Sequence, residues 1–230
     1  MQIKSIPRWK YYLSYLFEFH VESASSPFNP HLYVSLKKGR YQLSTANAIY
    51  SYDDLYDNFD TAFNRLDWES LATQEVLLLG LGLGSVPFIL ENKWGIHSKY
   101  TAVEIDESVI YLAEKYRLST LQSPVCTVCA DALAFAYHCI ESYDLIIVDL
   151  FQDDKIPEAF WEKDFLEEIK RIQNDNGLVL FNHLAITDEQ KERSYRYFKE
   201  VFSMIFPQAA ILQTRSNYIF VSQASKTKKS

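Results

Sequence analysis

The alternation of hydrophobic and polar residues changes its period near residue 70. From Lys10 to about Tyr52, apolar and polar positions alternate in short runs such as YLFEFHVES, HLYVSL and RYQLS, which are separated by the turn-like segments SASSPFNP and KKGR. Alternation broken by Ser, Pro, Gly and Asn predicts a meander of short β-strands. Helical spacing of the apolar residues in 55–66 then predicts a connecting helix. We therefore expect a small N-terminal β element over residues 1–70.

From Glu75 onward, apolar runs of strand length alternate with helical patterns. Runs such as VLLL, YTAVEI and YDLIIVDL are almost continuously apolar, and each precedes a helical segment. This pattern is typical of a parallel sheet covered by helices on both faces. The last two runs, AAILQTR and NYIFVSQ, lie too close together for a crossover helix, so the final strand should be antiparallel. The sequence predicts an α/β fold with a doubly wound, seven-stranded, mostly parallel sheet over residues 71–224, followed by a disordered tail, 225–230.

Composition and charge narrow the classes of function. The 230 residues are 48% hydrophobic and 15% aromatic, which indicates a globular chain with one ample core. A formal charge of −7 gives no general attraction to nucleic acid or to an anionic membrane, so small molecules are the expected partners. No run approaches the ~18 apolar residues of a membrane helix, and the first residues lack the apolar core of a signal peptide. We expect a cytoplasmic protein, either a monomer or a homodimer.

The sequence does not predict a metal site. Cys126 and Cys129 have the spacing of a metal-binding or redox pair, but no second pair of ligands accompanies them. They lie in a predicted strand, where we expect them to be small buried hydrophobic residues. The histidines show no ligand spacing, and His183 is either a structural residue or part of an acceptor pocket.

Three alternate glycines, Gly80, Gly82 and Gly84, follow the first strand of the α/β region in the stretch EVLLLGLGLGSVPFIL. Glycines at a strand-to-helix turn allow the backbone and the helix N-terminus to approach a nucleotide closely, although a tight turn alone would also use them. Glu104 ends the next strand, twenty residues after Gly84, where a carboxylate can accept both hydroxyls of a ribose. Together these residues predict a nucleoside site.

Two further carboxylates distinguish the kind of nucleoside. A nicotinamide enzyme would carry a third glycine at the position of Ser85 and would need no acid after the third strand. Here Asp131 follows the third strand, where it can contact an adenine amino group, and Asp149 ends the fourth strand. Asp106 is better explained as the cap of the following helix. This pattern favours a donor of the S-adenosylmethionine type.

The segments VLLLGLGLGS, VEIDESVI, ADAL and YDLIIVDLFQDDKIPEAFWEKDFL together resemble the spermidine synthases, aminopropyltransferases on the Rossmann-like class I methyltransferase fold. The resemblance implies a transferase that uses S-adenosylmethionine or its decarboxylated form and an amine acceptor related to the polyamines. It makes Asp149 the catalytic carboxylate, which binds the amine and takes its proton. It places Gln152, Asp153 and Asn182 at the acceptor. The implied donor contacts are Gly80, Gly82, Gly84, Ser85, Glu104, Ile105, Asp131 and Ala132.

The chain departs from the family pattern at the positions that select substrates. Leu83 stands where the family's glycine loop carries an aspartate that is expected to hold the donor amine. The family's diamine-binding hairpin and helix match poorly, with Gln42, Asp53 and Asp54 as partial substitutes. Two alternatives stay open: a methyltransferase with a diverged acceptor, and a non-catalytic nucleoside-binding module.

Overall fold

The computed structural model describes residues 7–45, 49–152 and 155–228, which form two sheets flanked by helices. The helices are α1 (Arg8–Leu13), α2 (Asp57–Asn64), α3 (Ser85–Trp94), α4 (Glu107–Tyr116), α5 (Ala132–His138), α6 (Lys163–Arg171), α7 (Asp188–Tyr197) and α8 (Ser203–Ile205). The strands are β1 (Phe19–Ala24), β2 (Leu32–Lys37), β3 (Arg40–Ser44), β4 (Ile49–Ser51), β5 (Glu75–Leu79), β6 (Lys99–Glu104), β7 (Val125–Cys129), β8 (Tyr143–Val148), β9 (Gln173–Leu184), β10 (Ala210–Gln213) and β11 (Asn217–Val221).

The N-terminal sheet is the predicted antiparallel meander, with the strand order β1-β2-β3-β4. The structure differs from the prediction at its start, where residues 8–13 form helix α1 rather than a strand. Pro7 precedes this helix, and its fixed φ suits the entry into a helix. The end of α1 is held on the β2–β3 turn, because the backbone amide of Lys38 donates to the Ser14 carbonyl (2.7 Å) and that of Gly39 to Ser14 Oγ (2.8 Å).

The second sheet confirms the predicted doubly wound arrangement. Its described strands have the order β10-β11-β9-β8-β5-β6-β7, in which β5 to β9 are parallel and β11 runs antiparallel to both of its neighbours. The chain passes from β5 outward to β6 and β7, and then returns to the other side of β5 with β8. The boundary between β5 and β8 is therefore the switch point at which such sheets bind their ligands.

Helices cover both faces of this sheet because successive strand side chains point to opposite sides. Leu77 and Leu79 of β5 pack in the cluster formed with α5, α6 and the chain after α7. Val76 and Leu78 pack in a second cluster with α2, α3 and α4. Among the described residues, no helix is long and apolar enough to cross a membrane.

At the borders of the fold, the structure differs from two of the sequence predictions. Cys126 and Cys129 are exposed rather than buried, because β7 is the edge strand of the sheet. The segment expected to be a free tail lies, as far as residue 228, against the chain after α2. Thr227 pairs with Leu66, and the amide of Lys228 donates to the carbonyl of Arg65 (2.8 Å).

The N-terminal sheet is joined to the α/β region by a small apolar core and by an ion pair. Leu83, in the glycine turn after β5, is fully buried against Val34 and Leu43 of the N-terminal sheet and Val109 of α4. The carboxylate of Asp53, which is also fully buried, pairs with Arg117 at the end of α4. These contacts hold the meander beside the carboxyl ends of β5 and β6.

Candidate active site

A cavity of about 630 Å³ lies at the carboxyl edge of the seven-stranded sheet. The wall is formed by groups at the ends of successive strands, which are about 4.8 Å apart in a sheet. Asp149, after β8, lies in the middle of this row, because β8 is the fourth strand from either edge. In strand order, the row contains Asn217, Leu184, Asp149, Gly80, Glu104 and Asp131.

Gly80 and Gly82 form part of the wall, and both need the conformational freedom of glycine. Gly80 has a φ of +92°, and a Cβ added to it would lie 2.1 Å from the carbonyl oxygen of Asp149. Gly82 has a φ of +54°, and its Cβ would lie 3.1 Å from the carbonyl oxygen of Tyr50. The turn after β5 is thus pressed against β8 on one side and against the N-terminal sheet on the other.

Gly84 and Ser85, which the resemblance implied as donor contacts, do not line the cavity. Gly84 has a φ of +87° and precedes α3, and a Cβ there would meet the side chain of Leu118 at 2.7 Å. Ser85 is buried, with its Oγ 2.6 Å from Oγ of Ser51, and it accepts a hydrogen bond from the amide of Tyr52 (3.2 Å). Gly84 thus leads the turn into α3, and Ser85 links the start of α3 to the N-terminal sheet.

Glu104 lines the cavity from the end of β6, as does Ile105 beside it. Its carboxylate accepts hydrogen bonds from the amides of Leu81 (3.2 Å) and Asp106 (3.1 Å), which fix its orientation. Burial raises the pKa of Glu104 against the opposing effect of these bonds. Each carboxylate oxygen keeps a second lone pair, so the group can still accept hydroxyl donors from a sugar.

Asp131 and Ala132 line the same end of the cavity. Asp131 is exposed and caps α5, because its Oδ1 accepts from the amide of Ala134 (2.9 Å). The cap fixes the side chain at the end of β7. It leaves lone pairs that can face a ligand amino group.

Asp149 is held by two hydrogen-bond donors that come from distant parts of the chain. Tyr56, just before α2, donates its hydroxyl to Oδ2 at 3.0 Å, and Asn182 of β9 donates Nδ2 to Oδ1 at 2.9 Å. Burial raises the pKa of Asp149 from its ordinary value of 3.8 to about 6, although both donors lower it. Burial and the charge of Asp149 raise the pKa of Tyr56 well above its ordinary value, so its hydroxyl keeps the proton that it donates. Asp149 is therefore an oriented carboxylate with the basicity of a proton acceptor.

Asn182 does not reach the cavity wall. Its side chain is fully buried behind Asp149, and its Oδ1 accepts from Nδ2 of Asn217 at 2.7 Å. Asn217 lines the cavity, as do Tyr56 and Asn58 of the α2 region. None of these three was identified from the sequence. Tyr56 lies 93 positions from Asp149, and no spacing rule connects such a pair.

The remaining predicted acceptor residues are dispersed. Gln152 lines the cavity at its rim, whereas Asp153 lies outside the described residues. Gln42 is buried in the N-terminal sheet, away from the cavity wall. Asp53 and Asp54 are paired with Arg117 and Arg40.

His183 is fully buried among aromatic side chains, with ring centroids 4.3 Å from both Phe181 and Phe220. Burial holds its pKa well below the ordinary value. His183 is not among the described residues that line the cavity. Its position therefore favours a role in packing over a role in an acceptor pocket.

All charged side chains among the described residues of the cavity wall are negative. Its carboxylates are Glu104, Asp131 and Asp149, and no Lys, Arg or His stands among the described residues that line it. In the same part of the chain, no group of three or more His, Cys, Asp or Glu is arranged to hold a metal ion. The cavity is thus suited to a cationic ligand.

Comparisons with known proteins identify related sequences and a related structure. The chain is 28% identical over 141 residues to the polyamine aminopropyltransferase of Vibrio vulnificus, covering 59% of this chain and 47% of that protein. It is also 28% identical over 143 residues to the eEF1A lysine and N-terminal methyltransferase of Xenopus laevis, covering 58% of this chain and 20% of that protein. The crystal structure of spermidine synthase from Thermotoga maritima superposes with a TM-score of 0.64 at 14% identity, over 88% of this chain and 72% of that one.

The matches to the two curated relatives span less than half of their lengths. The likeness to the Thermotoga structure supports the fold, since it has the same class I methyltransferase-like architecture. The family described as "Spermine/spermidine synthase domain" matches residues 70–230, which include the whole seven-stranded sheet. The chain belongs to the spermine/spermidine synthase domain family.

Proposed function

We propose that this protein is a transferase that moves the aminopropyl group of decarboxylated S-adenosylmethionine to an amine acceptor. The observation that carries the proposal is the Asp149 carboxylate, oriented by Tyr56 and Asn182 and raised in pKa to about 6, beside the glycine turn that ends β5. The family relationship supports a transferase, and the relatives named above are themselves transferases.

The donor occupies the end of the cavity under β5, β6 and β7 in this proposal. Gly80 and Gly82 admit the sulfonium portion close to the backbone, Glu104 accepts the ribose hydroxyls, and Asp131 accepts from the adenine amino group. Ile105 and Ala132 supply apolar contacts beside these two carboxylates. The adenosine thus directs its sulfonium toward Asp149.

The reaction is an in-line displacement at carbon. The acceptor amine arrives as an ammonium, binds Asp149 and loses a proton to it, because an amine with a pKa of ~10 is not nucleophilic while protonated. The nitrogen lone pair then forms a bond to the carbon attached to sulfur. The C–S bond breaks, its electron pair returns to sulfur, and neutral methylthioadenosine leaves. Positioning and proton removal supply most of the required catalysis.

The charge of the cavity favours the decarboxylated donor. S-adenosylmethionine carries a carboxylate, which would face Glu104, Asp131 and Asp149 without a basic side chain among the described wall residues. Loss of that carboxylate leaves a dication, which the three acidic groups attract. Methyl transfer is the second candidate, because Leu83 replaces the aspartate implied for holding the donor amine and is buried in the core.

Product analysis tests the proposal. The purified protein is incubated with each of the two donors and a panel of amines, and methylthioadenosine and S-adenosylhomocysteine are quantified. We expect methylthioadenosine from the decarboxylated donor. Formation of S-adenosylhomocysteine alone would show methyl transfer and refute aminopropyl transfer. Tight donor binding without either product would indicate a non-catalytic nucleoside-binding module.

A further inference from the structure

The cavity changes character at Asp149. Beyond it lies the part under β9 and β11, between α2 and the segment after β8, which we call the acceptor half. The proposed donor half contains Glu104 and Asp131, whereas the acceptor half is bounded by different kinds of side chain. The composition of the acceptor half determines which amine can reach Asp149.

The polar groups of the acceptor half are neutral and largely bound to one another. Oγ of Ser216 lies 2.8 Å from Oδ1 of Asn217 and 3.3 Å from Oδ1 of Asn58. Gln190 uses its Oε1 to accept from the amides of Ile186 (3.0 Å) and Thr187 (3.2 Å) at the start of α7. Within the described part of the chain, Asp149 is the one carboxylate that faces this half.

Apolar side chains complete the acceptor half. Pro157, Ala159 and Phe160 line it from the segment before α6, and Leu184 and Ile186 line it from the end of β9. Phe160 is buried and Leu184 is half-buried, whereas Ile186 is 61% exposed at the mouth. A chain extending from Asp149 into this half therefore meets these apolar side chains beside neutral polar groups.

The carboxylates nearest in sequence to Tyr56 are engaged elsewhere. Asp53 is fully buried in its pair with Arg117, and Asp54 is bound by Arg40 through two hydrogen bonds. Neither lines the cavity. They are not placed to bind a second ammonium group of an acceptor.

A diamine would place its second ammonium one short alkyl chain beyond the first. Among the described residues, no carboxylate other than Asp149 faces that group in the acceptor half, and a charge held against apolar side chains without a partner is strongly unfavourable. A methyl group at the same place would instead gain from burial against apolar side chains. We infer that the acceptor is a monoamine, a primary amine whose adjoining chain is uncharged and apolar, rather than a diamine or polyamine. This inference rests on the proposed function.

A matched pair of acceptors tests the inference. In 1-aminopentane a methyl group replaces the second ammonium of 1,4-diaminobutane at equal chain length. With the decarboxylated donor, we expect kcat/KM for 1-aminopentane to exceed that for 1,4-diaminobutane by at least about tenfold. Equal values, or a preference for the diamine, would overturn the inference, as would turnover of a peptide amine with no turnover of 1-aminopentane.

A substitution at the mouth can reverse the preference. Ile186→Asp introduces a carboxylate at an exposed position of the acceptor half, and Ile186→Asn has nearly the same shape without charge. We expect Ile186→Asp to raise the diamine-to-monoamine ratio of kcat/KM about tenfold and Ile186→Asn to leave that ratio unchanged. A diamine preference in the unmodified protein that disappears in Asp153→Asn would assign diamine binding to that carboxylate and refute the inference.

A binding measurement separates this inference from the proposed function. Each amine is titrated calorimetrically into the protein saturated with methylthioadenosine, so no turnover is needed. Tighter binding of 1-aminopentane supports the acceptor class even if no product is ever formed, in which case the proposed reaction alone fails. Tighter binding of 1,4-diaminobutane, or binding of neither amine, overturns the acceptor class.

Discussion

The carboxylate of Asp149 is subject to two opposing influences on its pKa. Burial and, to a lesser extent, the charge of Glu104 disfavour the charged form, whereas the hydrogen bonds from Asn182 and Tyr56 favour it, and burial dominates. The resulting value of about 6 leaves the group ionised at neutral pH and still able to accept a proton. The place of Asp149 at the end of an apolar strand indicated its burial, and the resemblance implied its catalytic role. The two hydrogen-bond donors could not be inferred from the sequence, because Tyr56 and Asn182 lie far from Asp149 along the chain.

The first prediction concerns the acid side of the pH profile. Because the proposed base must be deprotonated, kcat/KM should fall as the pH drops below about 6. Asp149→Asn should lower kcat by roughly 10²–10⁴-fold while donor binding is retained. Steady-state kinetics between pH 5 and 9 would check both effects. A variant with unchanged kcat would remove Asp149 from the role of base.

Tyr56 is expected to act as a positioning residue. Tyr56→Phe removes a donor that lowers the pKa of Asp149, so the acid limb should move to higher pH and kcat should fall about tenfold. The matched control is Tyr52→Phe, because the Tyr52 hydroxyl donates to the carbonyl of Lys37 (3.4 Å) rather than into the cavity. An unshifted acid limb in Tyr56→Phe would show that its hydroxyl does not tune Asp149.

The same carboxylate should reduce stability at neutral pH. Its pKa is higher in the folded state (about 6) than its ordinary value (3.8), so the folded protein binds the proton more tightly. The associated stability is present below about pH 3.8 and is lost as the pH rises through about 6. Asp149→Asn should therefore raise the free energy of unfolding at pH 8 by about 3 kcal/mol, and most of this gain should be lost near pH 4. Urea titrations at the two pH values would measure it.

At the scale of elements, the glycine turn shows how far a motif can be interpreted from sequence. Strand period, glycine content and the acid at the end of the next strand correctly indicated a strand, a turn and a helix at the switch point. The three glycines were nevertheless equivalent in sequence, whereas in the structure Gly80 and Gly82 line the cavity and Gly84 contacts Leu118. The difference depends on which element lies opposite each glycine, and that is a property of the folded chain.

Gly80 provides the corresponding prediction. Gly80 and Gly95 both have positive φ, but a Cβ on Gly95 meets nothing within 4 Å, whereas one on Gly80 meets the Asp149 carbonyl oxygen at 2.1 Å. Gly95→Ala should therefore cost about 1 kcal/mol of unfolding free energy through backbone strain alone. Gly80→Ala should cost about 3 kcal/mol or more and weaken donor binding. Chemical denaturation of both variants would measure the two losses of unfolding free energy. Equal losses would contradict the close approach of the turn after β5 to the end of β8.

At the scale of the whole molecule, the N-terminal sheet is fixed to the α/β region by a few specific groups. Oδ2 of Asp106 accepts from Ser26 Oγ (2.5 Å) and Asn29 Nδ2 (2.9 Å), which holds the β1–β2 loop beside the cavity. The buried pair of Asp53 and Arg117 secures the opposite end of the meander. Periodicity predicted both sheets, because it reports which faces are buried. It carries no information on contacts between residues far apart in the chain.

The ion pair between Asp53 and Arg117 should be costly to break. Arg117→Met would leave a fully buried carboxylate unpaired and should lower the free energy of unfolding by about 3–5 kcal/mol, more at pH 8 than at pH 5, because the Asp53 pKa is already about 6. The control Arg40→Met breaks the partly exposed pair with Asp54 and should cost about 1 kcal/mol.

A second substitution separates the unpaired charge from lost packing. Asp53→Asn in the Arg117→Met background removes the charge and should recover part of the loss. Asn tolerates the positive φ of this residue, +45°. No recovery in the double variant would indicate that packing of Arg117, rather than its charge, stabilises the junction.

The burial of Leu83 also limits how this chain could change over evolutionary time. An aspartate at this position would be surrounded by Leu32, Val34, Leu43, Val109 and Leu112, so a single replacement would disrupt the junction before it could alter the choice of donor. Placing the aspartate implied by the resemblance at residue 83 would therefore require accompanying replacements in β2, β3 and α4. The identity of residue 83 is thus tied to the packing of the neighbouring sheet, and a polar replacement in the loop would require matching changes in that sheet.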